Sequence, residues 1–312
     1  MPATNDPPKP KRHHWWPMAQ SRYWTNAAGF VHVTRSDGSH FQASPTNIGL
    51  ESELYTRFDH DNRKDTQIED WFAEAIDGPA TKVIEHFMDP DNVRRRPFRG
   101  DPIKARTVQA VGFRVNPYID EIALPIEIRN ATAQYVAALL VRHPRYLNKL
   151  VAFHQEHEAT PRDARERALD NMLILFRQYT QKIARAVVMI SRRVDGNEYI
   201  YADGGLHVQE PWRNESGVPF DIHAPLTPDL ALQVLPIPFA DNLDRAAVME
   251  STNQGVSRQN RIVLGVAERF VFSRQPPPAK FIVENFGKPA PKNIGYRFVD
   301  GRLETHFDPS RQ

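Results

Sequence analysis

Apolar and polar positions fall into three textures along the chain. Near the start, Phe30 to Thr34 and His40 to Ala43 alternate around Ser36-Asp37-Gly38-Ser39, which predicts a β-hairpin, because Asp-Gly between alternating runs favours a tight turn. From Thr66 the spacing becomes helical. Thr66-Gln67-Ile68-Glu69 has capping-box form, and Ile68, Trp71, Phe72, Ala75 and Ile76 recur on one face. Gly78-Pro79 predicts a kink or restart before Val83, Ile84 and Phe87 continue the stripe. Residues 89 to 117 are rich in Pro and Arg, lack periodicity, and read as a long loop. Two helical pieces follow from Ile126 to His157, broken at Pro144. Thr160-Pro161 then caps a helix that would run through Ile190 for about 40 Å, with Leu169, Met172, Leu173, Phe176, Ile183, Val187 and Ile190 on one face.

After Arg193 the pattern turns to short strands: Tyr199 to Ala202, Leu206 to Gln209 and Ala231 to Pro236. Asp241 to Thr252 and Arg258 to Ser273 read as helical, Phe281 to Glu284 as a strand, and Asp300-Gly301 as a closing hairpin. Parallel βαβ repetition is absent, as is any internal repeat. The expected class is α+β: a central long-helix bundle, residues 66–190, flanked by the N-terminal hairpin and a strand-rich region, 194–312. Residues 1–12 read as a flexible leader, and 13–312 as a single compact domain.

Composition narrows the chemistry. The 312 residues include twelve His and no Cys, which removes disulfides, thiolate zinc sites, iron–sulfur clusters and cysteine nucleophiles. The net charge of +2 is a cancellation. Residues 51 to 78 are acidic, whereas residues 89 to 115 carry Arg94, Arg95, Arg96, Arg99, Lys104, Arg106 and Arg114. This basic stretch, with Phe98, reads as a phosphate-backbone contact, a solvated loop or a partner for the acidic stretch. No apolar run approaches the length of a membrane span, and the N-terminus has no signal-type apolar core, so a cytoplasmic location is expected.

Familiar catalytic motifs are missing. His154-Gln155-Glu156-His157 has neither zinc-protease spacing and reads as a solvated helix end. There is no Gly-x-Ser-x-Gly and no Gly-x-Gly-x-x-Gly, and Gly287-Lys288 lacks the rest of a phosphate loop. The least ordinary segment is Lys11-Arg12-His13-His14-Trp15-Trp16-Pro17. In an extended stretch His13 and His14 point to opposite sides. One reading makes them metal ligands or proton carriers; the other makes the box a Trp-anchored strand.

The order of several short motifs resembles the bacterial domain-of-unknown-function family numbered 4238. These are the His-His-x-x-Pro box at His13–Pro17, the hairpin, Ser44-Pro45-Thr46-Asn47 and Tyr55-Thr56. Glu69 and Asp77-Gly78-Pro79-Ala80, Arg142-His143-Pro144, Tyr199 to Gly205, Pro225-Leu226-Thr227-Pro228, and Asn260 with Ala267 to Ser273 follow. The segment after the box and the Gly204-Gly205 pair depart from the family pattern. The resemblance implies a bacterial protein in which His13, His14 and Asp203 lie close together. His13, His14, Glu69 and Asp203 would then form a catalytic centre, His14 and Asp203 holding a divalent metal, with Arg94, Arg95, Arg96 and Arg99 binding phosphates. The capping box offers Glu69 a purely structural role. The function so implied is a metal-dependent hydrolase acting on nucleic acid; the competing reading is a non-catalytic protein-interaction or nucleic-acid-binding module.

Overall fold

A computed structural model of the chain describes residues 12–58, 61, 63–97, 109, 112–158, 160–209, 221–235, 243–289, 294–299 and 302–307. The expected leader therefore lies outside the described residues, apart from Arg12. The His-His box is a strand, Arg12–His14 (β1), followed by a short helical turn, Met18–Ser21 (α1). The Asp-Gly hairpin is present as Val31–Arg35 (β2) and His40–Ala43 (β3), with Gly38 at a φ of +82°. Leu50–Ser52 (β4) returns to pair with β1, His13 lying opposite Glu51. Gly49 makes this closure possible. Its carbonyl accepts from the Trp15 and Trp16 amides at 2.8 and 3.0 Å, its φ is +62°, and a Cβ there would lie 2.5 Å from Trp16 Cβ.

Arg57–Phe58 (β5) pairs with Lys64–Asp65 (β6). The helical stripe is realised as Gln67–Phe72 (α2), a π turn at Ala73–Asp77, and Gly78–Met88 (α3), so the wider turn absorbs Gly78-Pro79. The capping box is not formed. Thr66 Oγ1 donates to Asp70 Oδ2 at 3.2 Å, and Asp65 Oδ1 accepts from the Gln67 amide at 2.9 Å. Glu69 is released from capping and joins a buried polar cluster. The expected loop at 89–117 also differs, because Val93–Pro97 (β7) pairs with Tyr118–Ala123 (β8). Its strand character was hidden by exposed arginines at a sheet edge, where one face need not be apolar.

Ile126–Val141 (α4), Pro144–Gln155 (α5) and Pro161–Ile183 (α6) form the helical layer, α4 packing on α3 and α6, and α5 on α6. The break at Pro144 and the cap at Thr160 are as expected; Thr160 Oγ1 accepts from the Asp163 amide at 3.1 Å. However, α6 stops at Ile183, and Val187–Arg193 (β9) is a strand. A short apolar run such as Val187-Val188-Met189-Ile190 carries no period that separates a helix from a sheet-centre strand.

The remainder comprises Tyr201–Ala202 (β10), His207–Gln209 (β11), Asp221–Thr227 (β12), Leu230–Leu235 (β13), Arg245–Ser251 (β14), Asn253–Leu264 (α7), Phe270–Ser273 (β15), Ala279–Asn285 (α8), Ile294–Val299 (β16) and Arg302–Phe307 (β17). Three expectations are corrected. The stretch 241–252 supplies β14, 258–273 divides between α7 and β15, and 281–284 lies in α8. Parallel pairing with β9 overrides the helical propensity of Ala246, Ala247 and Met249. In α8, Ile282 is the buried contact of a one-sided helix. The final hairpin pairs β16 with β17, its Asp300-Gly301 tip lying outside the described residues.

The fold class is α+β. A mixed seven-stranded sheet runs β11-β12-β13-β9-β14-β8-β7, with only β9 and β14 parallel. A four-stranded sheet, β10-β15-β2-β3, ties the N-terminal hairpin to the C-terminal region. Residues 66–190 are thus not purely helical, since they supply β7, β8 and the start of β9. Trp16 is fully buried, stacked on Tyr201 at 4.6 Å between ring centroids and on Phe272 at 4.9 Å, with Trp24 edge-on at 6.0 Å. Among the described residues no helix is long and apolar enough to cross a membrane.

Candidate functional site

The closing of β1 on β4 determines what the two histidines do. His13 is buried; its Nδ1 accepts from the Tyr55 amide at 2.9 Å, and its ring stacks on that of Tyr55 at 5.7 Å. Its Nε2 lies 3.4 Å from Thr56 Oγ1. His13 therefore clamps the Tyr55-Thr56 segment. His14 faces another environment. Its Nε2 is buried without a hydrogen-bond partner in the protein, and the nearby Thr46 backbone opposes the fall in its pKa. Burial first, and the nearby Arg142 charge second, lower its pKa from the ordinary histidine value.

Glu69 belongs to the same cluster. Its Oε2 is likewise buried without a partner. Burial raises its carboxyl pKa to about 7, with Asp77 and Asp70 adding to the rise and Arg142 and the His14 amide opposing it. Arg142, at the end of α4, is fully buried. Its Nη1 donates to Asp77 Oδ1 at 2.6 Å, its Nη2 donates to the His14 carbonyl, and its guanidinium lies 4.7 Å from the centre of the Phe72 ring. Burial works against its charge, but Asp77, Tyr55 and Glu69 more than offset this and keep it protonated. The Tyr55 hydroxyl donates to the Arg142 carbonyl. Arg142 Nε is a third buried atom of the cluster without a partner.

The structure thus gathers His14 and Glu69 with Asp77, Arg142 and Tyr55, while His13 supports them from behind. Asp203 has different partners. Its Oδ1 accepts from the Glu268 and Arg269 amides at 2.8 and 3.1 Å, its Oδ2 accepts from the Arg269 amide at 3.0 Å, and Arg269 Nε is 3.6 Å away. That carboxylate organises the turn before β15. Among the described residues no group of three or more His, Asp and Glu side chains is arranged to hold a metal ion.

The arginines of β7 have local partners. Arg95 forms a two-pronged ion pair with Asp120, at 2.9 and 3.2 Å, and lies 3.7 Å over the Tyr118 ring. Arg96 pairs with Glu121, which also sits opposite Arg94 in the strand register. Arg95 and Arg96 therefore answer acids on the neighbouring strand rather than the acidic stretch 51–78. Arg99 lies outside the described residues, together with most of the basic stretch beyond Pro97.

In the sequence Asp77 and Arg142 stand out only as landmarks of the resemblance. A usable signal was present: Arg142 directly ends the apolar run Val136–Val141, a place where a charge is buried only with partners. No family model, curated protein or solved structure matches the chain.

Proposed function

We propose that the chain is a hydrolase of phosphodiester bonds in nucleic acid, working by general acid–base chemistry at His14 and Glu69. The observation that carries this reading is the pair of buried polar atoms without a protein partner, His14 Nε2 and Glu69 Oε2, held in one cluster with Arg142. Neutral His14, in the tautomer whose Nε2 is unprotonated, takes a proton there from an attacking water. Glu69, about half protonated near pH 7, gives its proton to the departing oxygen. Arg142 and Asp77 cancel as fixed charges, so a phosphodiester monoanion meets no net negative charge while Glu69 is protonated.

A divalent metal suits this cluster poorly. The Arg142 guanidinium opposes a second cation, Asp77 is occupied by Arg142, and Asp203 is committed to two amides. The chemistry is therefore written on the chain's own side chains. A bacterial, cytoplasmic setting accompanies this reading, as does the resemblance to the family numbered 4238.

The test is turnover of bis(p-nitrophenyl) phosphate and of a labelled single-stranded oligonucleotide between pH 5 and 9. Loss of activity above about pH 7 is expected as Glu69 ionises. Glu69→Gln and His14→Asn should each lower kcat roughly 100- to 10,000-fold in folded protein. If the wild-type chain turns over neither compound, or if either variant keeps full activity, the cluster is a structural core of a non-catalytic module.

A further inference from the structure

A cleft of about 460 Å³ lies beside the start of α5, within the range of small-molecule sites. Its floor is His143, whose side chain is at the N-cap of α5. The residue is 5% exposed, its Nδ1 accepts from the Arg145 amide at 3.2 Å, and its Nε2 has no hydrogen-bond partner in the protein. With Nδ1 accepting, the proton of the neutral ring is on Nε2, which makes it a donor. Burial holds the ring pKa down at about 4, with the Asp203 backbone, which does not meet hydrogen-bond geometry, opposing it and the Arg145 charge adding to the fall. The Gly204-Gly205 turn lies against the imidazole. Gly205 has a φ of +84°, and a Cβ there would be 3.0 Å from His143 Cγ, so a larger residue would press on that ring.

The walls have two characters. Arg145 and Lys149, four residues apart on α5, line the same cleft. Arg145 also meets Glu268 at 3.4 Å, whereas Lys149 makes no ion pair among the described residues. Tyr146 and Tyr179 present ring surface, their hydroxyls 3.3 Å apart across α5 and α6. Val208, on β11, is partly exposed at the mouth. Aromatic walls, one uncommitted ammonium, the positive end of a twelve-residue helix and a buried N–H donor together describe a site for a compact anion with a flat body.

We propose that this cleft binds a small organic anion, a carboxylate or phosphomonoester carried on a planar ring. The ring lies against Tyr146 and Tyr179, the anion pairs with Lys149, and His143 Nε2 donates to a polar atom of the ligand. The site does not depend on proton transfer at Glu69, because Arg142 faces the polar cluster whereas His143 faces the cleft.

Calorimetric titration of the full chain with adenosine 5′-monophosphate, 4-hydroxyphenylacetate and inorganic phosphate tests this without any turnover. At least one organic anion should bind with a Kd below about 1 mM, and which one does distinguishes a phosphomonoester site from a carboxylate site. Inorganic phosphate should bind at least about tenfold more weakly, since it leaves the aromatic walls unused. Lys149→Gln should raise the Kd about tenfold by removing a charge-assisted contact, and Val208→Trp, which fills the mouth, should abolish binding. Circular dichroism establishes that both variants fold. Absence of heat with both organic anions, equal affinity for phosphate, or an unchanged Kd in both variants would each overturn the proposal.

Discussion

Replacing Glu69 by Gln should make the protein more stable in alkaline solution while removing its activity. The folded chain holds the carboxyl at about 7 instead of its ordinary 4.5. Between those values the native state binds more protons than the unfolded one, so stability falls as pH rises through the window and the full cost is reached above pH 7. At about 1.4 kcal/mol per pH unit, the cost is about 3 kcal/mol. Glutamine keeps the shape and does not titrate. Glu69→Gln should match the wild type near pH 4.5 and exceed it by up to about 3 kcal/mol at pH 8.5, read from urea melts at both pH values with a common m. Acid-side effects of His143 and His223 are shared by both proteins and cancel in the difference. A wild type and variant with parallel stability curves from pH 4.5 to 8.5 would refute a buried, proton-holding Glu69, and with it the acid assigned to catalysis.

Arg142→Met should cost roughly 3–5 kcal/mol in the same melts, because it leaves Asp77 and the His14 carbonyl without their buried donor; Arg142→Lys should recover only part, since one ammonium cannot span both. Gly49→Ala should cost at least about 1 kcal/mol and shift tryptophan emission, because the new methyl meets Trp16 at a backbone φ of +62°. His143 and His223, buried and held neutral with pKa values of about 4 and about 3, bind fewer protons than the unfolded chain, so stability should fall as pH drops from about 6.5 toward 4. His223→Gln should flatten that acid limb in a pH series of thermal melts.

Where a pattern had one physical meaning, it was legible in advance. The Asp37-Gly38 hairpin, the break at Pro144 and the Thr160 cap are local signals, and each forms as read. Failures occur where a distant partner decides. Val187–Arg193 and Arg245–Ser251 become strands because they pair with each other in the sheet centre, and Val93–Pro97 becomes one because Tyr118–Ala123 supplies acids opposite its arginines. The site divides in the same way. The opposite roles of His13 and His14 follow from strand alternation, which is local. That Glu69 on α2 abandons its cap to join Arg142 follows from where the end of α4 meets the His14 carbonyl of β1, which no spacing records.

Alternation also explains how one short segment serves two places. On one side of the chain, His14 turns to the polar cluster and Trp15 turns away, its ring meeting that of His143 edge-on at 4.6 Å. On the other, Arg142 enters the cluster and His143 enters the cleft. Two dipeptides, His14-Trp15 and Arg142-His143, therefore stand back to back, joined on one side by the Arg142 bond to the His14 carbonyl and on the other by ring contact. Arg142, whose charge opposes the rise in the Glu69 pKa, is thus the direct chain neighbour of the residue that lines the cleft. Trp15→Leu, which removes the ring contact but leaves the backbone bond, should lower stability in urea melts while leaving the Glu69-dependent fall in stability above about pH 4.5 unchanged, and a shifted window would refute the separation of the two places.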